Sequence, residues 1–350
     1  MNVSELHKLT VWVSEEIETT QIPQLYNALY QVLSQNSTQA SKLPLEPQKE
    51  SLIVALKNVN LERLTRDQIT FLRELGIAEY VSEEGISNIE DILYKNSLDV
   101  ATAAQRFQEI HQKTSEGLAK SNQIKTGLSN VSISEDYEID NHVLMRVTFT
   151  GDAKMGNIID LKDWGKIWFD IGRGITLAHD VTPEDIKIVG ASRGSIVIEF
   201  AVLAPIAGTF GAIIFWALTV AEKVLGLKKT AEEIRGMRLT NNIKALELAQ
   251  SIEDTAEAEK TAGIEEISIQ ITKQLKIKTK SEGDKVNALN TAIKNLVNFI
   301  QKGGEVDFVV PETEAGAANE DANMKELRNK VQEIRKLEEK IALLEHKKMD

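Results

Sequence analysis

Cysteine is absent from the 350-residue sequence, and aromatic side chains make up only 5% of it. Without cysteine the chain can form neither disulfides nor thiolate metal sites, and nothing indicates an oxidising compartment. Few aromatic residues beside many Ala, Glu, Lys, Leu and Ile residues favour helices over β-sandwiches. The net charge of -12 argues against a protein that coats duplex DNA, which needs a broad basic face, although one local basic pocket is compatible with it.

Recognisable catalytic and metal-binding motifs are also lacking. The sequence contains no Walker A pattern, no G-x-S-x-G elbow and no H-E-x-x-H pair. We therefore predict a protein that is not an enzyme and holds neither a metal nor a cofactor. An enzyme whose site is assembled from distant residues is the alternative. The histidines are scattered along the chain, at His7, His111, His142, His179 and His346.

Apolar spacing divides most of the sequence into helical segments. Residues 1–35 are predicted as N-terminal helices, and residues 49–128 as a helical domain of three or four helices, because Leu, Ile and Val recur at helical intervals. Residues 226–311 are predicted as a helical C-terminal region, with a short strand at Glu305–Val310. Residues 323–348 carry a heptad-like pattern that predicts either a weak coiled coil or a helix docked on the body.

The pattern changes over residues 140–200, where β-branched residues partly alternate with polar ones. Strands are predicted at Val143–Thr150, Asp185–Ala191 and Ser195–Phe200, with a helix at Asp160–Ala178. The β-α-β-β order predicts a small α+β domain inside a mainly α protein.

The longest apolar run, Phe200–Ala221, contains no charged residue. As a helix it spans roughly 33 Å at about 1.5 Å per residue, which matches a bilayer core of about 30 Å. Pro205 is tolerated in a first helical turn, so the helix is predicted to begin near Ala204 and to end near Leu225. We therefore predict one transmembrane helix within residues 200–225. The alternative is a fully buried core helix of a soluble oligomer.

Small residues recur along this helix at intervals of four. Gly208 and Ala212 form one such pair, and Gly211 belongs to another. This spacing lets helices approach closely in lipid, which predicts packing between copies in a homo-oligomer. Glu199 and Glu222 flank the run and are predicted at the two mouths of the helix, because charges beside a membrane helix are costly and tend to be functional.

Charges around the apolar helix give conflicting predictions of its orientation. More basic residues follow it than precede it, and the positive-inside rule then places its C-terminal side in the cytoplasm. The preceding residues show no export signal, which favours a cytoplasmic N-terminal body. Both sides are cytoplasmic if the helix enters only partly or inserts on activation. The basic residues are Lys187 and Arg193 before the helix and Lys223, Lys228, Lys229, Arg235 and Arg238 after it.

Two basic segments are candidate ligand sites. Arg193 lies in a Gly- and Ser-rich turn that could cradle a phosphate, although a plain hairpin turn between strands is the favoured interpretation. Four lysines within eight residues could contact the phosphates of a nucleotide or of a lipid headgroup. A solvated helix end is the favoured alternative there. The four are Lys273, Lys276, Lys278 and Lys280.

The stretch from Trp164 to Leu239 resembles a known class of bacterial proteins. It contains WGKIWFDIGRGITLAHDVTPEDIKIVGASRGSIVIEF, the apolar helix and VAEKVLGLKKTAEEIRGMRL. A small α+β domain whose G-S-[IV]-[IV]-[IV]-E strand runs into one hydrophobic helix is similar to membrane effectors of bacterial anti-phage and conflict systems, in particular to the Hailong-type ion-channel effectors. The resemblance implies the bacterial inner membrane, and a nucleotide or single-stranded oligonucleotide signal made by a partner nucleotidyltransferase.

Together these features predict an oligomeric membrane effector of antiviral defence that forms or gates an ion-conducting pore. The signal or a protein partner would act through the cytoplasmic helical body. The alternative function is a non-conducting, membrane-anchored scaffold that recruits partners through its helical regions. The predicted partners are membrane lipid, further copies of the chain and the nucleotide or oligonucleotide signal.

Overall fold

The structure of the chain is a computed structural model. It describes residues 1–96, 99–129, 131, 142–192, 196–236, 242–278, 281–311 and 322–346. The chain divides into two compact units, Met1–Glu138 and Ile139–Asp350. The described residues are mainly helical, with one small antiparallel sheet, and both features match the predicted fold class.

The first unit is all helical within its described residues. A π-helical turn at Ser14–Glu18 continues its first helix, and amphipathic spacing of Leu, Ile and Val accounts for the rest. Its helices are α1 (Val3–Val13), α2 (Ile22–Thr38), α3 (Glu46–Lys57), α4 (Arg66–Glu74), α5 (Ser82–Lys95) and α6 (Val100–Leu128).

The core of the first unit forms where α2 packs against α6. Tyr26 stacks on Phe107 with ring centroids 6.3 Å apart, and its hydroxyl donates a hydrogen bond to the Tyr80 carbonyl oxygen at 2.9 Å. Gly117 lets α6 approach closely, because a β-carbon there would overlap the Leu75 carbonyl oxygen. The buried residues of α6 form one stripe, so this helix is amphipathic in the ordinary way.

The second unit is built around a four-stranded antiparallel sheet. Its strands are β1 (His142–Phe149), β2 (Lys187–Ser192), β3 (Ile196–Leu203) and β4 (Glu305–Val309), in the order β2-β3-β1-β4. The predicted β-α-β-β order is present. β4 adds a fourth strand from a distant part of the chain, so the sheet extends beyond the predicted 140–200 segment.

Two helices, α7 (Ile158–Ala178) and α10 (Gly283–Gln301), pack together beneath this sheet. Phe299 of α10 meets Trp164, Trp168 and Phe149 edge to face, with ring centroids 5.2–5.3 Å apart. At Gly174 a β-carbon would overlap the Ala288 carbonyl oxygen, which shows how closely the two helices approach. The aromatic cluster fixes the sheet on these helices.

Three long helices complete the second unit. They are α8 (Ala204–Gly236), α9 (Asn242–Gln274) and α11 (Ala322–His346). The predicted start of the apolar helix at Ala204 is confirmed. Phe200–Leu203, the first part of the apolar run, belongs instead to β3, where it pairs with β1. The helix continues past the predicted end near Leu225, because the charged residues that follow remain helical.

Candidate functional site

The apolar helix α8 follows β3 without a connecting residue, since β3 ends at Leu203 and α8 begins at Ala204. Among the residues that the structure describes, Ala204–Ile234 is the single helix long and apolar enough to cross a membrane. Within this chain, 67% of its most apolar window is buried. Length and composition thus permit a membrane span, while the packing also gives α8 the role of a core helix.

Helix α9 covers one side of α8 over much of its length. A β-carbon at Gly263 of α9 would lie 2.5 Å from Val220 Cγ2, so the two helices are in close contact there. Ala249, Ala256 and Ile271 of α9 are fully or almost fully buried. Most of the remaining described α9 side chains are charged or polar and lie at least partly exposed.

Helix α11 packs along another side of α8. Leu327, Val331 and Ile334 are buried, so α11 is docked on the body, one of the two predicted alternatives. Lys330 Nζ lies 4.2 Å from the centroid of the Phe215 ring, a cation–π contact with α8. Lys340 Nζ is 2.6 Å from Glu222 Oε1. Glu222, predicted at a helix mouth, therefore forms an ion pair with α11.

The small residues of α8 have different surroundings. A β-carbon at Gly211 would lie 3.3 Å from Leu327 Cδ1, so Gly211 faces α11. A β-carbon at Gly208 would meet nothing within 4 Å. Gly208 and Ala212 line a cavity of about 200 Å³. Within this chain, therefore, Gly211 contacts a helix and Gly208 has free space beside it.

Polar side chains line the same cavity where α7 ends. The imidazole Nε2 of His179 and the hydroxyl Oγ1 of Thr209 in α8 are 2.8 Å apart and share a hydrogen bond. Burial lowers the pKa of His179 below its usual value, and the neighbouring Asp180 opposes that shift. Glu326 and Lys330 of α11 line the cavity as well. Neutral His179 thus links α7 to the start of α8.

A row of alternating charges crosses the sheet on the face away from the aromatic cluster. Arg146 of β1 lies directly across from Glu199 on β3 and from Asp307 on β4. Arg146 Nε is 3.1 Å from Glu199 Oε1, and Arg335 of α11 contacts Asp307 Oδ1 at 2.9 Å. We call Glu199, Arg146, Asp307 and Arg335 the charged row.

The charged row is largely buried and ties three strands to α11. The side chain of Arg146 is 8% exposed and that of Asp307 is 9% exposed. Arg335 also donates a hydrogen bond to the Phe308 carbonyl oxygen at 3.3 Å. Glu199, predicted at the mouth of the membrane helix, therefore lies within the sheet, four residues before Leu203. One signal was available in the sequence: Arg146 is the single Lys, Arg, Asp or Glu residue in β1, which is otherwise largely apolar.

Three of the five candidate ligand residues lie in the part of the chain that the structure describes. Lys273, Lys276 and Lys278 are exposed at the end of α9 and just beyond it. The Lys278 backbone N–H donates to Glu282 Oε2 at 2.7 Å, so an acidic side chain lies beside this basic segment. Arg193 and Lys280 lie outside the described residues.

No protein-family model matches this chain, and no curated protein or solved structure matches it either. Within the described part of the chain, no cluster of three or more His, Asp or Glu side chains could hold a metal ion. What the protein does is therefore inferred from its own residues, above all from α8 and the side chains that contact it.

Proposed function

We propose that this protein is an oligomeric membrane effector of bacterial antiviral defence that forms or gates an ion-conducting pore. A nucleotide or oligonucleotide signal, or a protein partner, controls it. The observation that carries the proposal is α8, a long helix whose apolar part is free of charge and which follows β3 directly. A single helix encloses no channel, so conduction requires several copies.

The direct junction supports coupling between the sheet and the helix. A flexible linker would absorb a movement of the sheet, whereas a strand that continues into a helix transmits it. β3 is paired with β1 and β2 on its two sides, and Glu199 links it to the charged row. A signal that shifts the strands or α11 therefore also shifts the start of α8.

Insertion of α8 requires that its covering helices move away. The charged outer sides of α9 and α11 are costly to bring into the hydrocarbon core, so these helices stay at the surface when α8 enters. The contacts that hold α11 on α8 are one buried apolar stripe, the Lys330–Phe215 contact and the Lys340–Glu222 ion pair. In the proposed mechanism the signal acts by weakening or strengthening these contacts.

Gly208 supports the assembly step. Among the residues that the structure describes, no atom beyond the neighbouring helix backbone lies within 4 Å of a β-carbon placed there, and small residues spaced by four let a helix of a second copy approach closely in lipid once the covering helices have moved away. Ala212 lies one turn further along the same side.

Ion flux from liposomes tests the proposal. The full chain is reconstituted with and without a short oligodeoxyadenylate, and Gly208→Leu is compared with Gly226→Leu. Both glycines lie on α8, and a β-carbon at either position would meet nothing within 4 Å. The two substitutions therefore change helix propensity equally.

We expect flux and a multimeric species in detergent for the wild type and for Gly226→Leu, and loss of both for Gly208→Leu. Equal flux and size for the two variants would count against packing at Gly208. Membrane-bound wild-type protein that conducts neither with nor without the oligonucleotide would favour the non-conducting scaffold.

A further inference from the structure

The outward side of α7 carries large apolar residues that the fold does not bury. Ile158, Ile159 and Phe169 are 75%, 65% and 57% exposed. The opposite side of the same helix packs into the core through Trp164, Trp168 and other apolar residues. Isolated exposed apolar residues are ordinary, but several on one helix face indicate an interaction surface.

Basic residues lie among these apolar ones. Ile158, Lys162, Phe169 and Arg173 follow at spacings of four, seven and four, so at 3.6 residues per turn they fall within about 60° of one another. Lys166 lies beside them, and all three basic side chains are exposed. We call these five residues together with Ile159 the α7 outer face.

The acidic residues of α7 equal its basic residues in number, but they cap the helix or lie at the margin of this face. Asp160 accepts hydrogen bonds from the backbone N–H groups of Gly156 and Asn157, where it caps the start of α7. Asp163 and Asp170 lie at the margin of the face by helical spacing. The whole chain has a net charge of -12, so the cationic α7 outer face is a local feature and does not follow from composition.

We propose that the α7 outer face lies on the surface of a bilayer that contains anionic lipids. Ile158, Ile159 and Phe169 enter the boundary between headgroups and acyl chains, while the three cations contact lipid phosphates. Helices that lie in a membrane interface combine these two residue types in this way.

A protein partner fits this surface less well. The centres of protein interfaces are poor in lysine, because burying the ammonium group against another protein is costly. Here Lys162 lies between Ile158 and Phe169 near the middle of the face. At a lipid headgroup layer the lysine chain can extend to water and phosphate while the neighbouring rings and methyl groups are buried.

The contact adds to the proposed function and does not depend on it. It requires only that α7 meets a membrane surface, whether or not α8 crosses the bilayer. Failure of ion flux therefore leaves this proposal standing, and loss of the α7 contact leaves the conducting role of α8 to be decided by flux.

Fluorescence from a single labelled cysteine tests the contact. Because the chain has no cysteine, Gly165→Cys can carry an environment-sensitive fluorophore at one known position. Gly165 lies on the same side of α7, and a β-carbon there meets nothing within 4 Å. Ser251→Cys, at an exposed position of α9, is the matched control. The labelled full chains are mixed with phosphatidylcholine vesicles with and without phosphatidylglycerol.

We expect a blue shift at position 165 with phosphatidylglycerol, a much smaller one without it, and none at position 251. The triple variant Lys162→Gln, Lys166→Gln, Arg173→Gln should weaken the lipid-dependent shift on the order of 100-fold in lipid concentration, since each cation contributes about a factor of five. Raising the salt concentration should also weaken the lipid-dependent shift of the protein without these three substitutions. This tests the electrostatic attraction without changing any residue of the face.

Two results would overturn the proposal. One is an equal shift in both kinds of vesicle that the triple variant leaves unchanged. The other is a shift without lipid, accompanied by a larger assembly in sizing experiments, which would assign the face to contacts between copies of the chain.

Discussion

Helix α6 of the first unit and helix α8 of the second are both long, but they are built differently. α6 buries one stripe that includes Phe107 and Ile110, and its other sides are polar. α8 is apolar on all sides over its apolar part, most of which is buried against α9, α10 and α11. An amphipathic helix is suited only to the boundary between an apolar core and water. An all-round apolar helix is suited both to a protein core and to a lipid bilayer.

The covering of α8 also differs from the packing of α6. In the first unit the close approach at Gly117 is made against backbone atoms. In the second unit α11 approaches Gly211 through a leucine side chain, and ion pairs hold it at Glu222 and Asp307. At Gly117, therefore, α6 is held against backbone, whereas the contacts of α8 with α11 are made by side chains that can be changed one at a time.

Removing the buried cation of the charged row should have the largest effect. Arg146→Met leaves Glu199 and Asp307 near each other without the cation between them, and breaking a buried ion pair costs about 3–5 kcal/mol. We expect this loss in the free energy of unfolding of the second unit, measured by urea denaturation. Lys340→Met is the control, since Lys340 is 63% exposed and its pair with Glu222 contributes at most about 1 kcal/mol. Equal losses for the two variants would show that the charged row is not a buried network.

Two glycine substitutions sharpen the comparison between the units. Gly117→Ala and Gly211→Ala gain the same helix propensity, about 1 kcal/mol. At Gly117 the new methyl group overlaps the Leu75 carbonyl oxygen, and moving a backbone atom costs more free energy than moving the end of a side chain. We expect a net loss of about 1–3 kcal/mol there.

At Gly211 the new methyl group would lie 3.3 Å from the end of the Leu327 side chain and 3.6 Å from Lys330 Cγ, so it meets side chains and no backbone. We expect Gly211→Ala to be neutral or slightly stabilising in thermal unfolding. A loss at Gly211 as large as that at Gly117 would mean that α11 is held as rigidly as the core of the first unit.

The smallest effect concerns pH. Burial lowers the pKa of His179, so the unfolded chain takes up this proton at a higher pH than the folded chain does. The stability that neutral His179 contributes is present above the ordinary histidine pKa of about 6.5 and is lost as pH falls toward the lowered value. The free energy of unfolding of the wild type should therefore fall more than that of His179→Gln between about pH 7.5 and about pH 5. Parallel pH profiles would contradict this role of His179.

Local patterns in the sequence were sufficient for much of the fold. Pro205 marked the start of α8, and apolar alternation marked β1 and β3, because these signals act over a few residues. The pairing of β4 with β1 joins residues far apart in the chain, and no local pattern encodes it.

The sequence predicted the candidate site less well than it predicted the fold. The spacing of small residues pointed to Gly208, Gly211 and Ala212. It did not show which of them contacts α11. Glu199 and Glu222 were expected to end a membrane helix, whereas in the structure both are ion-paired. Their partners Arg146 and Lys340 lie on other elements, so only the three-dimensional arrangement connects them.

Alkaline carbonate extraction of membranes from cells that express the full chain tests the role of α8 most directly. Alkaline carbonate removes proteins held at a membrane surface by charge, while a helix that spans the hydrocarbon core stays in place. We predict that the protein remains in the membrane pellet after extraction. Complete release into the supernatant as a folded, water-soluble species, from membranes incubated with the oligodeoxyadenylate as well as without it, would contradict the account, since α8 would then be a core helix only.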